Sequence, residues 1–105
     1  MARFEVFRNS GPHAGDAPYL LDVQSEVLYA LETRVVVPLR RRDRFPAVPL
    51  PERLMPMLEI EGVACLMETP KLASVPLRLL KSPVVSLADR HMAIIGALDF
   101  LFQGY

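Results

Sequence analysis

The sequence predicts a single, mainly β domain with one C-terminal α-helix. Three features support this expectation: several short segments of strand-like composition, a hairpin signal around Gly62, and a terminal apolar run of helical periodicity, HMAIIGALDFLFQGY. A chain of 105 residues can build one modest core, so residues 1–105 are expected to form one domain. Short strands and one helix suit a strongly bent antiparallel sheet, a small barrel that the helix closes.

The N-terminal part of the chain is expected to supply the first three strands. RFEVFRN at residues 3–9 alternates apolar and charged side chains, as a half-buried strand does. YLLDVQS at 19–25 and TRVVVPL at 33–39 follow, and the consecutive valines of the latter favour extended backbone. Because Pro38 has no N–H to donate, the third strand is expected to end there or to lie at a sheet edge.

Prolines and a hairpin are expected in the middle of the chain. Five of the ten prolines lie between Pro38 and Pro56, which predicts an extended, irregular crossing. MLEI and ACLMET then flank EGV, where Gly62 can adopt the positive φ of a tight turn. Cys65 lies among apolar neighbours on the second of these strands, so its thiol is expected to be buried and unreactive.

The C-terminal helix is predicted to begin at Ser86, because Ser86 and Asp89 have the spacing of a capping box. Six larger apolar side chains and one histidine gather on one face, which is expected to pack on the core: Leu87, His91, Ile94, Ile95, Leu98, Leu101 and Phe102. The opposite face is expected to be exposed: Asp89, Ala93, Gly96, Ala97, Phe100, Gln103 and Gly104. A large Phe100 among small residues favours a docking surface over an ordinary solvated face.

Composition points to a binding protein without a metal or cofactor. Twelve basic residues balance twelve acidic ones, so general affinity for nucleic acid or anionic lipid is not expected. The apolar fraction of 51% is high for this length and predicts a subunit or partner interface, for which a homodimer is the simplest candidate. The single cysteine, the charged N-terminus and the lack of a long apolar stretch favour a cytoplasmic protein outside the membrane.

Few residues offer chemistry. Two histidines and one cysteine match no zinc spacing, and the scattered glycines form no phosphate loop. His91 is expected to be a packed core residue, and His13 lies in a loop. The run Arg40–Arg44 is interpreted as a solvated loop partly balanced by Asp43, with an anion site or a ribonuclease arginine as the alternatives.

The whole chain resembles the CcdB toxins of bacterial type II toxin–antitoxin modules. FEVFRN, YLLDVQS, VVVPL, LASVP and the helix ending in FLFQGY occur in the family's order. The resemblance implies an SH3-like barrel of the CcdB/MazF type, a tight homodimer and a role in plasmid maintenance. It also implies a non-enzymatic toxin that binds the GyrA subunit of DNA gyrase, traps the enzyme on cleaved DNA, and is neutralised by a CcdA-like antitoxin whose C-terminal part is disordered when free.

The resemblance also implies a target-binding site at the end of the helix. The family's closing Trp-Gly-Ile falls on Gln103, Gly104 and Tyr105, so Gly104 alone matches. The gyrase-binding set implied by position, together with Phe100 from the helix pattern, is Val27, Leu28, Asp99, Phe100, Gln103, Gly104 and Tyr105. Glutamine lacks the aromatic area of tryptophan, so a weakened or changed target stays open, and a MazF-like ribonuclease is the third possibility.

Overall fold

The computed structural model describes residues 2–26, 30–47 and 49–104. Within these ranges the chain forms seven strands and one α-helix, in the mainly β arrangement that the sequence predicts. The elements are β1 (Glu5–Arg8), β2 (Tyr19–Asp22), β3 (Thr33–Arg41), β4 (Met57–Ile60), β5 (Val63–Met67), β6 (Ala73–Pro76), β7 (Val85–Ser86) and α1 (His91–Gln103).

All strand pairs are antiparallel, and they follow one another in the order β4-β5-β3-β2-β1-β7. The long strand β3 is the pivot of this sheet. Along one edge it pairs with β2, whereas its other edge pairs with β6 up to Val36 and with β5 from Leu39 onward. This change of partner bends the sheet into a nearly closed barrel.

The prediction that Pro38 ends its strand or lies at an edge is wrong, because β3 continues to Arg41 and has neighbours on both sides. Pro38 lies opposite Leu20 of β2, in the interval where the other edge of β3 changes from β6 to β5. Its missing N–H therefore falls where β3 is paired with neither β6 nor β5, and its carbonyl accepts a hydrogen bond from the Glu68 N–H at 3.0 Å.

Three side chains help to close the barrel, those of Arg8, Tyr19 and Glu61. The β4–β5 hairpin turns through Glu61 and Gly62, whose φ values of 52° and 79° confirm the predicted tight turn. From this turn the Glu61 carboxylate accepts a hydrogen bond from the Tyr19 hydroxyl at 2.7 Å and one from Arg8 at 3.1 Å. The bond from Tyr19 is the main reason that the pKa of Glu61 lies below its ordinary value.

The main core lies inside the barrel, and a smaller cluster around Phe7, Val36 and Leu80 lies on the other side of the sheet. Cys65 belongs to the main core and is fully buried, as predicted. Burial raises the pKa of its thiol, so the reactive thiolate is disfavoured at neutral pH.

A buried ion pair anchors the connection that leads from β2 to β3. Arg34 donates to both carboxylate oxygens of Asp22, at 2.9 and 3.0 Å, and to the carbonyl of Gln24 at 3.1 Å. The side chains of Arg34 and Asp22 are 1% and 0% exposed. Burial raises the pKa of the Asp22 carboxyl, although the bonds from Arg34 and from the Gln24 N–H act in the opposite direction.

The helix begins later than predicted. A single 3₁₀ turn spans Ala88–Arg90, and α1 follows directly from His91. Ser86 still accepts a hydrogen bond from the Ala88 N–H at 3.2 Å, but the capping box with Asp89 does not form. Ser86 is also the last residue of β7, where it pairs with Glu5, and this strand pairing holds its backbone outside the helix.

Candidate docking face on the C-terminal helix

The buried face of α1 lies roughly a quarter turn away from the face that the sequence predicts. Ile94 and Ala97 are fully buried, and Leu101 beside them is half-buried. The prediction is therefore wrong for Ala97, expected to be exposed, and for His91 and Phe102, expected to be buried. The helix is apolar on both sides, so its periodicity alone does not separate the core face from the solvent face.

The residues pointing away from the barrel form one stripe along α1. Met92, Gly96, Asp99 and Gln103 are all exposed, and their spacing of four, three and four residues aligns them on one side of a helix. Phe102 lies beside this stripe near its C-terminal end. Met92 is 79% exposed and Phe102 is 72% exposed, the two highest values among the large apolar side chains described. These five residues are called the outer helix face below.

Phe100 lies at the side of this face, so the prediction that its ring points away from the core is wrong. Its ring is half-buried, and the guanidinium carbon of Arg53 lies 4.9 Å from the ring centroid. This cation–π contact holds the proline-rich segment against the helix. Between the two elements lies a shallow hollow of about 270 Å³, with Gly96 and Asp99 on its helical side.

Gly104 ends the helix with a left-handed backbone conformation. Its φ of 80° is left-handed, and its N–H donates to the Phe100 carbonyl at 2.9 Å. Residues other than glycine adopt this conformation at a cost, so the glycine is required by the backbone here. Gln103 and Gly104 are both exposed, in agreement with the prediction.

Three residues of the predicted set lie outside the described residues: Val27, Leu28 and Tyr105. The structure therefore brings Asp99, Gln103 and Gly104 together at one end of the helix, with Phe100 at their side. Sequence reasoning misses Met92 and Phe102 as exposed residues. The spacing of Met92, Gly96, Asp99 and Gln103 is the signal that could have found this side of the helix.

The arginine run is only partly the solvated loop that the sequence predicts, because Arg40 and Arg41 belong to β3 and Arg42–Arg44 form a 3₁₀ turn. Arg41 donates to both oxygens of Asp43, at 3.1 and 2.8 Å, and this pair lowers the pKa of the Asp43 carboxyl. Arg40 and Arg44 lie 3.9 and 3.7 Å from the carboxylates of Glu68 and Asp16. Arg42 has no carboxylate partner among the residues that the structure describes.

Gly96 offers a test of the helix assignment. An added Cβ would meet nothing within 4 Å, so Gly96→Ala should raise the free energy of unfolding by roughly 0.5–1 kcal/mol. Urea denaturation measures the change. Gly104→Ala is the matched control, because the same substitution at a left-handed φ should lower stability by about 1 kcal/mol. Equal effects at the two positions would contradict the helix boundaries given above.

Two kinds of feature are missing from the described residues, a metal-binding cluster and a membrane-spanning helix. In the described part of the chain, no cluster of three or more His, Cys, Asp or Glu side chains could hold a metal ion. No helix among those residues has the length and apolar character to cross a bilayer. What the face offers is an apolar and polar contact surface of a kind that binds another macromolecule.

The comparison with protein families decides the relationship. The family model described as CcdB protein matches residues 3–104, which is nearly the whole chain. The chain belongs to the CcdB family. Members of this family are toxins of toxin–antitoxin modules that act on DNA gyrase by binding to it rather than by catalysis. No curated protein matches the chain in a sequence search.

Proposed function

We propose that this CcdB-family protein is the toxin of a type II toxin–antitoxin module and binds the GyrA subunit of DNA gyrase through the outer helix face. Binding traps gyrase on cleaved DNA, and a cognate antitoxin relieves the inhibition. The observation that carries the proposal is the exposure of Phe102 beside Asp99 and Gln103, at the helix end that the family uses, with Met92 exposed on the same side near the start of α1.

The chemistry of this face suits a protein partner with a cationic side chain. Phe102 offers an open aromatic ring, and such rings attract arginine and lysine when water is excluded. The Asp99 carboxylate and the free carbonyls at the C-terminal end of α1 add negative character nearby. Apolar contact in the centre with polar groups around it is the usual organisation of a binding hot spot.

Gln103 favours a second candidate, a family member whose affinity for gyrase is reduced or whose target has changed. The residue that corresponds to the family's tryptophan is a glutamine, which buries less area and cannot stack. Phe102 lies one position earlier in the chain and is exposed, so among the described aromatic residues it is the best placed to replace the missing indole. The first candidate therefore depends on Phe102 compensating for Gln103.

The proposal includes a homodimer that acts in the cytoplasm, as the family membership implies. Two large apolar side chains outside the helix, Leu31 and Val85, are also exposed in the single chain. Burial of some of them between two copies would account for an apolar content of 51% in a chain of this length. Light scattering of the purified protein measures the mass directly.

Gyrase-dependent DNA cleavage tests the function. Purified protein, gyrase, ATP and supercoiled plasmid are incubated, and detergent and protease then release trapped complexes. The expected product is linear DNA that depends on both proteins, because a poison stabilises the cleaved intermediate. Supercoiled product without linear DNA would contradict poisoning and favour the changed-target candidate. Cleavage of RNA by the purified chain alone would instead favour a ribonuclease.

A further inference from the structure

A second concave surface lies next to the outer helix face and has a different chemistry. It is a groove of about 560 Å³ between the proline-rich segment, β4 and the start of the helical region. Leu50, Met55, Met57 and Leu66 contribute its apolar surface. Arg42 and Arg90 also line it, and it is called the arginine groove below.

The charges of this groove are not balanced by carboxylates in the described residues. Neither Arg42 nor Arg90 has a carboxylate within ion-pair distance there, unlike the other members of the arginine run. Arg90 makes one long hydrogen bond, 3.4 Å from its Nη2 to the carbonyl of Met57. Glu52 also lines the groove, and its carboxylate would repel a negatively charged occupant.

The groove also borders a strand that can accept a partner. Within the described chain β4 pairs with β5 alone, so its other edge is open. The Met57 carbonyl points to this edge, because the preceding Pro56 carbonyl accepts a hydrogen bond from Met67 of β5 and successive carbonyls of a strand alternate in direction. An extended segment can add to such an edge with its backbone while its alternate side chains enter the groove. Met57 is 56% exposed and would be covered by it.

We propose that the arginine groove binds an extended, acidic and apolar segment of the antitoxin. Carboxylates of the segment pair with Arg42 and Arg90, and its apolar side chains cover Met55, Met57 and Leu66. This assignment rests on the proposed function, which supplies the antitoxin as the partner. Glu52 and Pro56 line both this groove and the hollow beside the outer helix face, so a segment in the groove lies next to the surface proposed for gyrase.

Peptide selection tests the chemistry of the groove independently of the partner's identity. A displayed library of random 12-residue peptides is selected on the full-length protein and counter-selected on the double variant Arg42→Glu/Arg90→Glu. The expected peptides are rich in Asp, Glu and large apolar residues. Synthetic copies should bind the double variant at least tenfold more weakly than wild type, and their affinity should fall as salt is raised.

Two further variants make the result specific. Arg78→Glu/Lys81→Glu changes the charge by the same amount at exposed positions that do not line the groove, and it should leave peptide affinity unchanged. Glu52→Gln should increase affinity about twofold or more, because a repelling carboxylate is removed. Thermal unfolding of each variant checks that it is folded. Selected peptides without an acidic excess, or equal losses in the two charge-reversed variants, would overturn the proposal.

Co-expression identifies the occupant. With the antitoxin of the same operon, wild type and the Arg78/Lys81 variant should be neutralised, and the groove variant should still arrest growth. Neutralisation of all three would overturn the assignment to the antitoxin. A change from dimer to monomer in the groove variant alone would overturn it as well, because a second copy of this chain would then cover the groove. Peptide binding is measured on purified protein and does not require the protein to be toxic. If the proposed gyrase function fails, the peptide result still tests the groove.

Discussion

Phe102→Ala should weaken gyrase binding roughly thirtyfold, equivalent to ~2 kcal/mol at a hot spot, and leave the fold almost unchanged. The ring is 72% exposed in the single chain, so its removal creates no cavity in the core. Calorimetric titration into purified GyrA measures the affinity, and urea denaturation measures the free energy of unfolding. Loss of aromatic contact is the physical reason for the expected effect, because Gln103 has no ring to take its place.

Leu79→Ala is the matched control for this experiment. It also removes an exposed apolar side chain, but from a 3₁₀ turn far along the chain from the helix end. Its gyrase affinity should equal that of the wild type. If Phe102→Ala binds GyrA as tightly as the wild type and Leu79→Ala do, the outer helix face is not the gyrase site, whatever the stability measurements show.

Breaking the buried ion pair should produce the largest loss of stability. Asp22→Asn leaves the Arg34 cation 1% exposed and without its counter-ion, which should lower the free energy of unfolding by about 3–5 kcal/mol. Arg34→Met leaves the Asp22 carboxylate buried, with a similar cost near neutral pH. The double variant Asp22→Asn/Arg34→Met removes both charges and should be less destabilised than either single variant.

The pH dependence of Arg34→Met has a definite sign. Burial already raises the pKa of Asp22 in the folded protein, and loss of the guanidinium raises it further. The folded state of this variant then binds a proton more tightly than the unfolded state does, so its stability rises as the pH falls through that raised pKa. Urea denaturation at pH 7 and pH 5 measures the difference between variant and wild type. A penalty that grows on acidification would contradict the role given to Asp22.

Local chemistry makes much of the fold predictable. The hairpin around Gly62 and the buried Cys65 follow from glycine conformation and from apolar neighbours, both of which act over a few residues. Pro38 is different, because its tolerance depends on β3 changing partner at that point, and the strands that make this change come much later in the chain. The local sequence around Pro38 therefore does not reveal which strands will pair with β3 on either side of it.

The helix illustrates the same limit at the site itself. Its periodicity places Ile94 and Leu101 correctly on the inner face, but it exchanges Ala97 and Phe102. When a helix is apolar on both sides, the residues that the barrel covers are decided by the shape of the barrel and not by the largest side chains. The consequence for the site is that Phe102, and not the half-buried Phe100, is the exposed aromatic residue of the helix.

Oxidative footprinting tests most directly whether gyrase grips the outer helix face. Hydroxyl radicals modify exposed methionine and phenylalanine, and mass spectrometry compares the toxin alone with the toxin bound to GyrA. We expect protection of Met92 and Phe102 on binding, with Met57 in the arginine groove as reactive as before. Unchanged oxidation of Met92 and Phe102 in a saturated complex would contradict the account.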